Sequence, residues 1–202
     1  MKQFPNLGQQ TSGWVYRALA TNPEGIVLEI GDALAGNWFD NVVHSDLIER
    51  RGAANPDGPF DLVLLHHALG GCETLASAAH AAYRVLRVGG QLMVAGENLL
   101  RRSRPGPSAN APAPRATGWG YCRALAKAGF SDVALFAMHP EGNAPVYLID
   151  ARRRGAFNFY RTPLAAQGRS RWWPTRALLF LLTHANLTPQ LQPGLLVLGT
   201  RC

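Results

Sequence analysis

The sequence predicts an α/β fold built on a doubly wound, mostly parallel sheet, and three features predict it. Ile26-Val27-Leu28-Glu29-Ile30 and Phe60-Asp61-Leu62-Val63-Leu64-Leu65 are near-continuous apolar runs of the kind required by strands buried on both faces. The first runs into a turn that opens and closes on glycine, Gly31 to Gly36, as a parallel strand does when it feeds a nucleotide-binding turn. The second is followed by a helical pattern and a third apolar run, Gln91-Leu92-Met93-Val94-Ala95-Gly96; strand, helix and strand in that order give a right-handed parallel crossover. With 202 residues, 47% of them hydrophobic and 16% charged, the chain can bury a real core as one domain spanning 1–202.

The remaining elements follow in order. Thr11 and Ser12 can cap a lead-in helix over Trp14–Ala20, which Pro23 and Gly25 end. After the glycine turn, Val42-Val43-His44-Ser45 reads as a second strand that finishes on Asp46. Residues 47–59 are polar and rich in helix and strand breakers, and a full helix-plus-strand unit does not fit there, so the sheet is expected to be abbreviated around strand three. Glu73–Leu86 carries Leu75, Ala79, Ala82 and Leu86 at helical spacing, a small-residue face suited to lying on a sheet, with Gly89-Gly90 as its stop. Residues 101–115 hold four prolines and four arginines without periodicity and read as a mobile loop, either a solvated linker or a basic lid over an anionic substrate. Trp119–Ala128 is a short helix ended by Gly129. Ser131–Met138 is a strand that can pair with Ala144–Ile149 through a turn. Residues 151–192 form an insert or cap that contains Arg152-Arg153-Arg154, Phe157, Tyr160, Trp172-Trp173 and an apolar helix from Pro174 to about His184. Leu195–Gly199 closes the sheet as an antiparallel last strand.

Composition narrows the function classes. The net charge of +7 favours anionic partners, although arginine richness also accompanies high-GC coding sequence. Cys72, Cys122 and Cys202 are few and scattered, which suggests neither a disulfide framework nor a zinc site and fits a reducing cytoplasm. The opening residues lack the apolar core of a secretory signal, and the longest apolar run, Ala177–Leu182, is far short of a membrane span. The expected location is therefore cytoplasmic, with peripheral membrane attachment as the other option. HExxH, P-loop, paired CxxC and nucleophile-elbow motifs are all missing from the sequence, so the usual hydrolase and kinase chemistries lack support.

The candidate site residues lie where the predicted strands end. Asp46 stands where an acid at the edge of the second strand accepts hydrogen bonds from ribose hydroxyls; a turn-forming aspartate is the alternative. His66 and His67 follow a buried parallel strand, where open α/β sheets place ligands. His67 is the candidate general base, the alternative being a histidine at a helix start satisfied by backbone.

Phe60-Asp61-Leu62-Val63, then His67, then Ala82-Tyr83-Arg84-Val85-Leu86-Arg87-Val88-Gly89-Gly90-Gln91-Leu92 resemble the FDLV…H…RVLKPGG run of the class I S-adenosylmethionine-dependent methyltransferases, in particular their UbiE-like, type 11 branch. Val27-Leu28-Glu29-Ile30-Gly31 is similar to the family's first motif and Asp46 to its ribose-binding acid; the resemblance covers roughly residues 13–138 and the final strand. It implies a Rossmann-like methyltransferase fold with S-adenosylmethionine as cofactor. It also implies roles: Glu29 orders the turn near the cofactor's methionine end, Gly31, Ala33 and Ala35 line that turn, Asp46 holds the ribose, and Leu65 and His66 flank the sulfonium. Ala33 and Ala35 stand where the family repeats glycine, and Gly70-Gly71 where it often has Glu-His. The activity implied is methyl transfer to a small or lipid-like acceptor. The alternative is a catalytically inactive methyltransferase-like protein, a binding or scaffold subunit that meets a protein partner or an acidic membrane surface through its basic aromatic insert. Methylation of RNA is motivated by charge alone, since no RNA-binding module accompanies the tryptophans.

Overall fold

The computed structural model describes residues 13–31, 38–45, 60–66, 68–69, 71–99, 115–139, 147–153 and 194–202. In chain order the elements are α1 (Gly13–Leu19), β1 (Val27–Gly31), β2 (Val42–Ser45), β3 (Phe60–His66), α2 (Leu75–Val85), β4 (Leu86–Asn98), β5 (Arg115–Ala116), α3 (Gly118–Ala128), β6 (Phe130–His139), β7 (Tyr147–Asp150) and β8 (Gly194–Arg201). The strands form one sheet in the order β2-β1-β3-β4-β8-β6-β7, with β5 paired to β4 off that path. β2, β1, β3 and β4 run parallel, whereas β8 is antiparallel to both β4 and β6, and β6 and β7 form an antiparallel pair.

The predicted architecture is therefore present, including the antiparallel last strand, which slots between β4 and β6 in the interior of the sheet. The segments predicted as the 101–115 loop (but for Arg115), the 151–192 insert beyond Arg153, and the abbreviated stretch 47–59 lie outside the described residues.

Period-two alternation gives the sheet two apolar faces. Leu28, Ile30, Val63, Leu65, Leu92, Val94, Leu195 and Val197 pack with Ala78, Ala79 and Ala82 of α2 and Tyr121 and Leu125 of α3. Val27, Leu62, Leu64, Met93, Ala95, Leu196 and Leu198 face the other way, toward Tyr16 of α1 and Phe39. The small side chains of α2 let it lie close on the central strands, as its pattern predicts.

Local chemistry sets the element ends. α2 opens on a reciprocal capping box between Thr74 and Ser77. It stops at Val85, short of the predicted glycine stop, because the fully buried Leu86 turns extended and pairs with Phe60 as the first residue of β4. Gly89-Gly90 instead sits inside β4, where the register against β3 shifts between Phe60 and Leu62. A Cβ on Gly90 would lie 2.9 Å from the Arg87 carbonyl oxygen and 3.0 Å from that of Phe60, so the backbones meet only without a side chain. α3 is capped by Thr117 and ends on Gly129 at φ 101°, a left-handed cap.

At the amino edge of the sheet Asp61, the second residue of β3, gathers three donors. The Asn22 side-chain amide donates to Oδ1 at 2.8 Å, the Ile26 backbone N–H donates to Oδ2 at 2.8 Å, and an Arg87 guanidinium nitrogen lies 2.5 Å from Oδ1. Asp61 thereby fixes the entry to β1 against β3 and β4.

Candidate functional site

The chain leaves β1 toward β2 on one side and returns to β3 on the other, so the strand order reverses between β1 and β3. In open α/β sheets ligands bind outside the carboxyl ends of the strands at such a switch point. Pairing of β1 with β3 runs to Gly31 opposite His66. Gly31 adopts φ 105°, and a Cβ there would lie 2.1 Å from the His66 carbonyl oxygen. Glycine is thus dictated at this point by the close approach of the two strand ends.

On the α1 face, alternation brings Glu29 of β1 and His66 of β3 to this end of the sheet. Glu29 is buried, with 2% of its surface exposed. His44, its register partner on β2, places Nδ1 3.0 Å from Glu29 Oε2. Tyr16 of α1 lies above, buried, its ring edge-on to that of His66 with centroids 6.0 Å apart. Burial pushes the Tyr16 phenol far above its usual range, and the neighbouring Glu29 charge adds to the effect, so this hydroxyl keeps its proton. It has no hydrogen-bond partner among the described residues. A buried hydroxyl without a partner costs about 1–3 kcal/mol.

Of the residues named from the sequence, Glu29, Gly31 and His66 come together here. The Leu65 side chain points into the α2 and α3 core, on the opposite face from His66, so only its backbone shares this strand end. Ala33, Ala35, Asp46 and His67 lie outside the described residues. Tyr16 and His44 were not among the predicted site residues. His44 could have been found from strand alternation, because in-step parallel pairing of the first two strands puts it beside Glu29.

A parallel sheet reversing between β1 and β3, with an acid on β1 and an antiparallel strand inserted beyond β4, is the fold of the class I methyltransferases. Residues 16–94, from α1 into β4, match the family model described as a methyltransferase domain. Phosphoethanolamine N-methyltransferase 2 of Haemonchus contortus, solved with S-adenosyl-L-methionine, superposes with a TM-score of 0.53 at 12% identity over 93% of this chain and 51% of that one. The same nematode enzyme, with phosphomonomethylethanolamine and S-adenosylhomocysteine bound, gives a TM-score of 0.51 at 14% identity over 93% and 51% of the two chains. A SAM-dependent methyltransferase of Thermotoga maritima gives a TM-score of 0.49 at 14% identity over 97% and 92%. The chain spans about half the length of the nematode enzyme. No curated protein matches the sequence. Among the described residues, no helix is long and apolar enough to cross a membrane.

Proposed function

We propose that this chain is an S-adenosylmethionine-dependent methyltransferase acting on a small or lipid-like acceptor. The observation that carries the reading is the buried acid at the switch point, Glu29, near a buried Tyr16 hydroxyl that has no hydrogen-bond partner among the described residues. These groups fit the methionine end of S-adenosylmethionine, whose ammonium needs an anionic acceptor and whose carboxylate and ammonium can both satisfy a phenol. The methyltransferase-domain match over residues 16–94 and the cofactors bound by the nematode enzyme support the same assignment.

In this reading Glu29, Gly31, Ala33 and Ala35 surround the methionine end, Asp46 takes the ribose hydroxyls, and His66 with the Leu65 backbone borders the sulfonium. The cofactor, when bound, supplies an electrophilic methyl group. The protein contributes mainly alignment of acceptor and methyl carbon, which by itself removes a large part of such a barrier. His67 serves as general base only if the acceptor must lose a proton to become nucleophilic.

Calorimetry with S-adenosylmethionine and S-adenosylhomocysteine tests the reading. The expected result is binding of both, weakened at least tenfold by Asp46→Ala. A folded protein that binds neither nucleoside at millimolar concentration overturns it and favours the second reading, a methyltransferase-like scaffold, for which Ala33 and Ala35 in place of glycines are the supporting feature.

A further inference from the structure

We infer that Arg17 is a positioning residue for the cofactor site: its guanidinium holds the backbone at Trp38, two residues past the predicted Gly31–Gly36 turn, and so sets where that turn ends. The inference rests on the cofactor reading above and goes beyond it, because it gives a role in nucleoside binding to a residue of α1 outside the predicted site.

The two ends of the turn are held in different ways. Its entry is fixed by the sheet, since Gly31 pairs with His66 and has no room for a Cβ. Its exit, 38–41, precedes β2 and is laced to the linker between α1 and β1. One Arg17 guanidinium nitrogen donates to the Trp38 carbonyl at 2.6 Å, and the other donates to Glu24 Oε1 at 2.6 Å. The Asn41 side-chain amide donates to the Glu24 carbonyl at 3.3 Å, and the Val27 N–H donates to the Asn41 carbonyl at 2.9 Å. Phe39 is buried in the cluster that contains Tyr16 and Val27, and Trp38 packs against that cluster.

An arginine in the last turn of a helix is ordinarily explained by the helix's own carbonyl end. Here the Tyr16 and Arg17 carbonyls accept from the Ala20 N–H, while the guanidinium crosses to a carbonyl 21 residues further along the chain. Glu24 keeps the fork aimed there. A planar guanidinium serves two acceptors at fixed angles, which an ammonium does not, so Arg17 and Glu24 work together as a bracket on the exit of the turn. Their contribution to global stability is small, because the two side chains are 35% and 65% exposed.

Placement of the exit matters to binding. Ala33 and Ala35 stand where glycine would let the main chain come closest to a nucleoside, so the approach that remains depends on where the two ends are anchored. A segment anchored at both ends also loses less conformational entropy when a ligand arrives, and releasing one end restores that cost.

Native-state digestion with chymotrypsin, mapped by mass spectrometry, tests the bracket, and calorimetry with S-adenosylhomocysteine tests its consequence. Arg17→Met keeps the aliphatic stem and removes the fork. It should raise cleavage at Trp38 and Phe39 about fivefold with cleavage elsewhere unchanged, weaken nucleoside binding about five- to tenfold, and lower Tm by only about 2–4 °C. Arg17→Lys keeps the charge and gives up one of the two contacts, so it should fall between wild type and Arg17→Met in both assays, and it carries the comparison if Arg17→Met does not fold. Glu24→Gln retains an acceptor for the fork and should stay within about twofold of wild type. Unchanged cleavage at Trp38 and Phe39 in both Arg17 variants overturns the inference, as does faster cleavage with unchanged affinity, and either result leaves the cofactor reading standing. Wild type that binds no nucleoside overturns the cofactor reading, and the role assigned to Arg17 falls with it.

Discussion

Two acids sit inside neighbouring strands of this sheet, at opposite edges, and they are treated differently. Asp61, at the amino edge, is met by an amide, a backbone N–H and a guanidinium. Glu29, at the carboxyl edge, is met by a histidine open to solvent and lies near a phenol that has no hydrogen-bond partner among the described residues. A saturated buried carboxylate holds chain segments together. In the proposed reading the amino edge, with Asp61, builds the fold, and the carboxyl edge, with Glu29, receives the cofactor.

Substitutions can break that contrast or sharpen it. Asp61→Ala should have the largest effect on stability, about 3–4 kcal/mol by denaturant unfolding, because three donors lose one acceptor. Cofactor affinity of the remaining folded protein should change little; a selective loss of affinity with unchanged stability would contradict the division between edges. Gly31→Ala comes next, at about 2–3 kcal/mol, since the new methyl meets the His66 carbonyl and the backbone is left-handed there. Here affinity should fall as well, as the strand ends are forced apart. Gly129→Ala, remote from both acids, should cost about 1 kcal/mol through its left-handed cap and leave binding untouched.

Tyr16→Phe should have the smallest effect on stability and the most informative one. Removing a hydroxyl that has no partner among the described residues should leave unfolding free energy unchanged or raised by up to about 1 kcal/mol, while nucleoside affinity drops several-fold. The same residue gives the alkaline limb a sign. Burial, then the Glu29 charge, hold the Tyr16 phenol in its protonated form, so the native state binds that proton more tightly than the unfolded chain does. This contribution is complete below the ordinary tyrosine value of 10.0 and is lost as pH rises above it. Tyr121, raised chiefly by burial, behaves likewise, so Tyr16→Phe should shrink the alkaline loss without abolishing it.

The parallel half of the fold was legible in the sequence because strands buried on both faces must be nearly all apolar, and 27–30, 60–65 and 91–96 are, with one polar residue each in Glu29, Asp61 and Gln91. Gly129 marked its helix end correctly because a left-handed cap admits little else. Gly89-Gly90 misled, because the same residue type also serves where two backbones cross, and only the contact with Phe60 tells the uses apart. The position of β8 was not legible, since any antiparallel strand of that composition pairs equally well at an edge or in the interior. At the site, Glu29 and Gly31 stood out by motif. Tyr16 and His44 did not, because their importance lies in what stands across from them, and a single sequence does not display register.

The placement of β8 has a consequence for the way the molecule comes into being. Gln91 waits for Thr200 as its neighbour, and Ser131 waits for the same residue from the other side. During synthesis the nascent parallel half thus shows an open seam along β4 until the far downstream segment leaves the ribosome. Such late, long-range zippering is slow and leaves sticky backbone uncovered, which makes maturation of this chain sensitive to premature termination and dependent on shelter from aggregation.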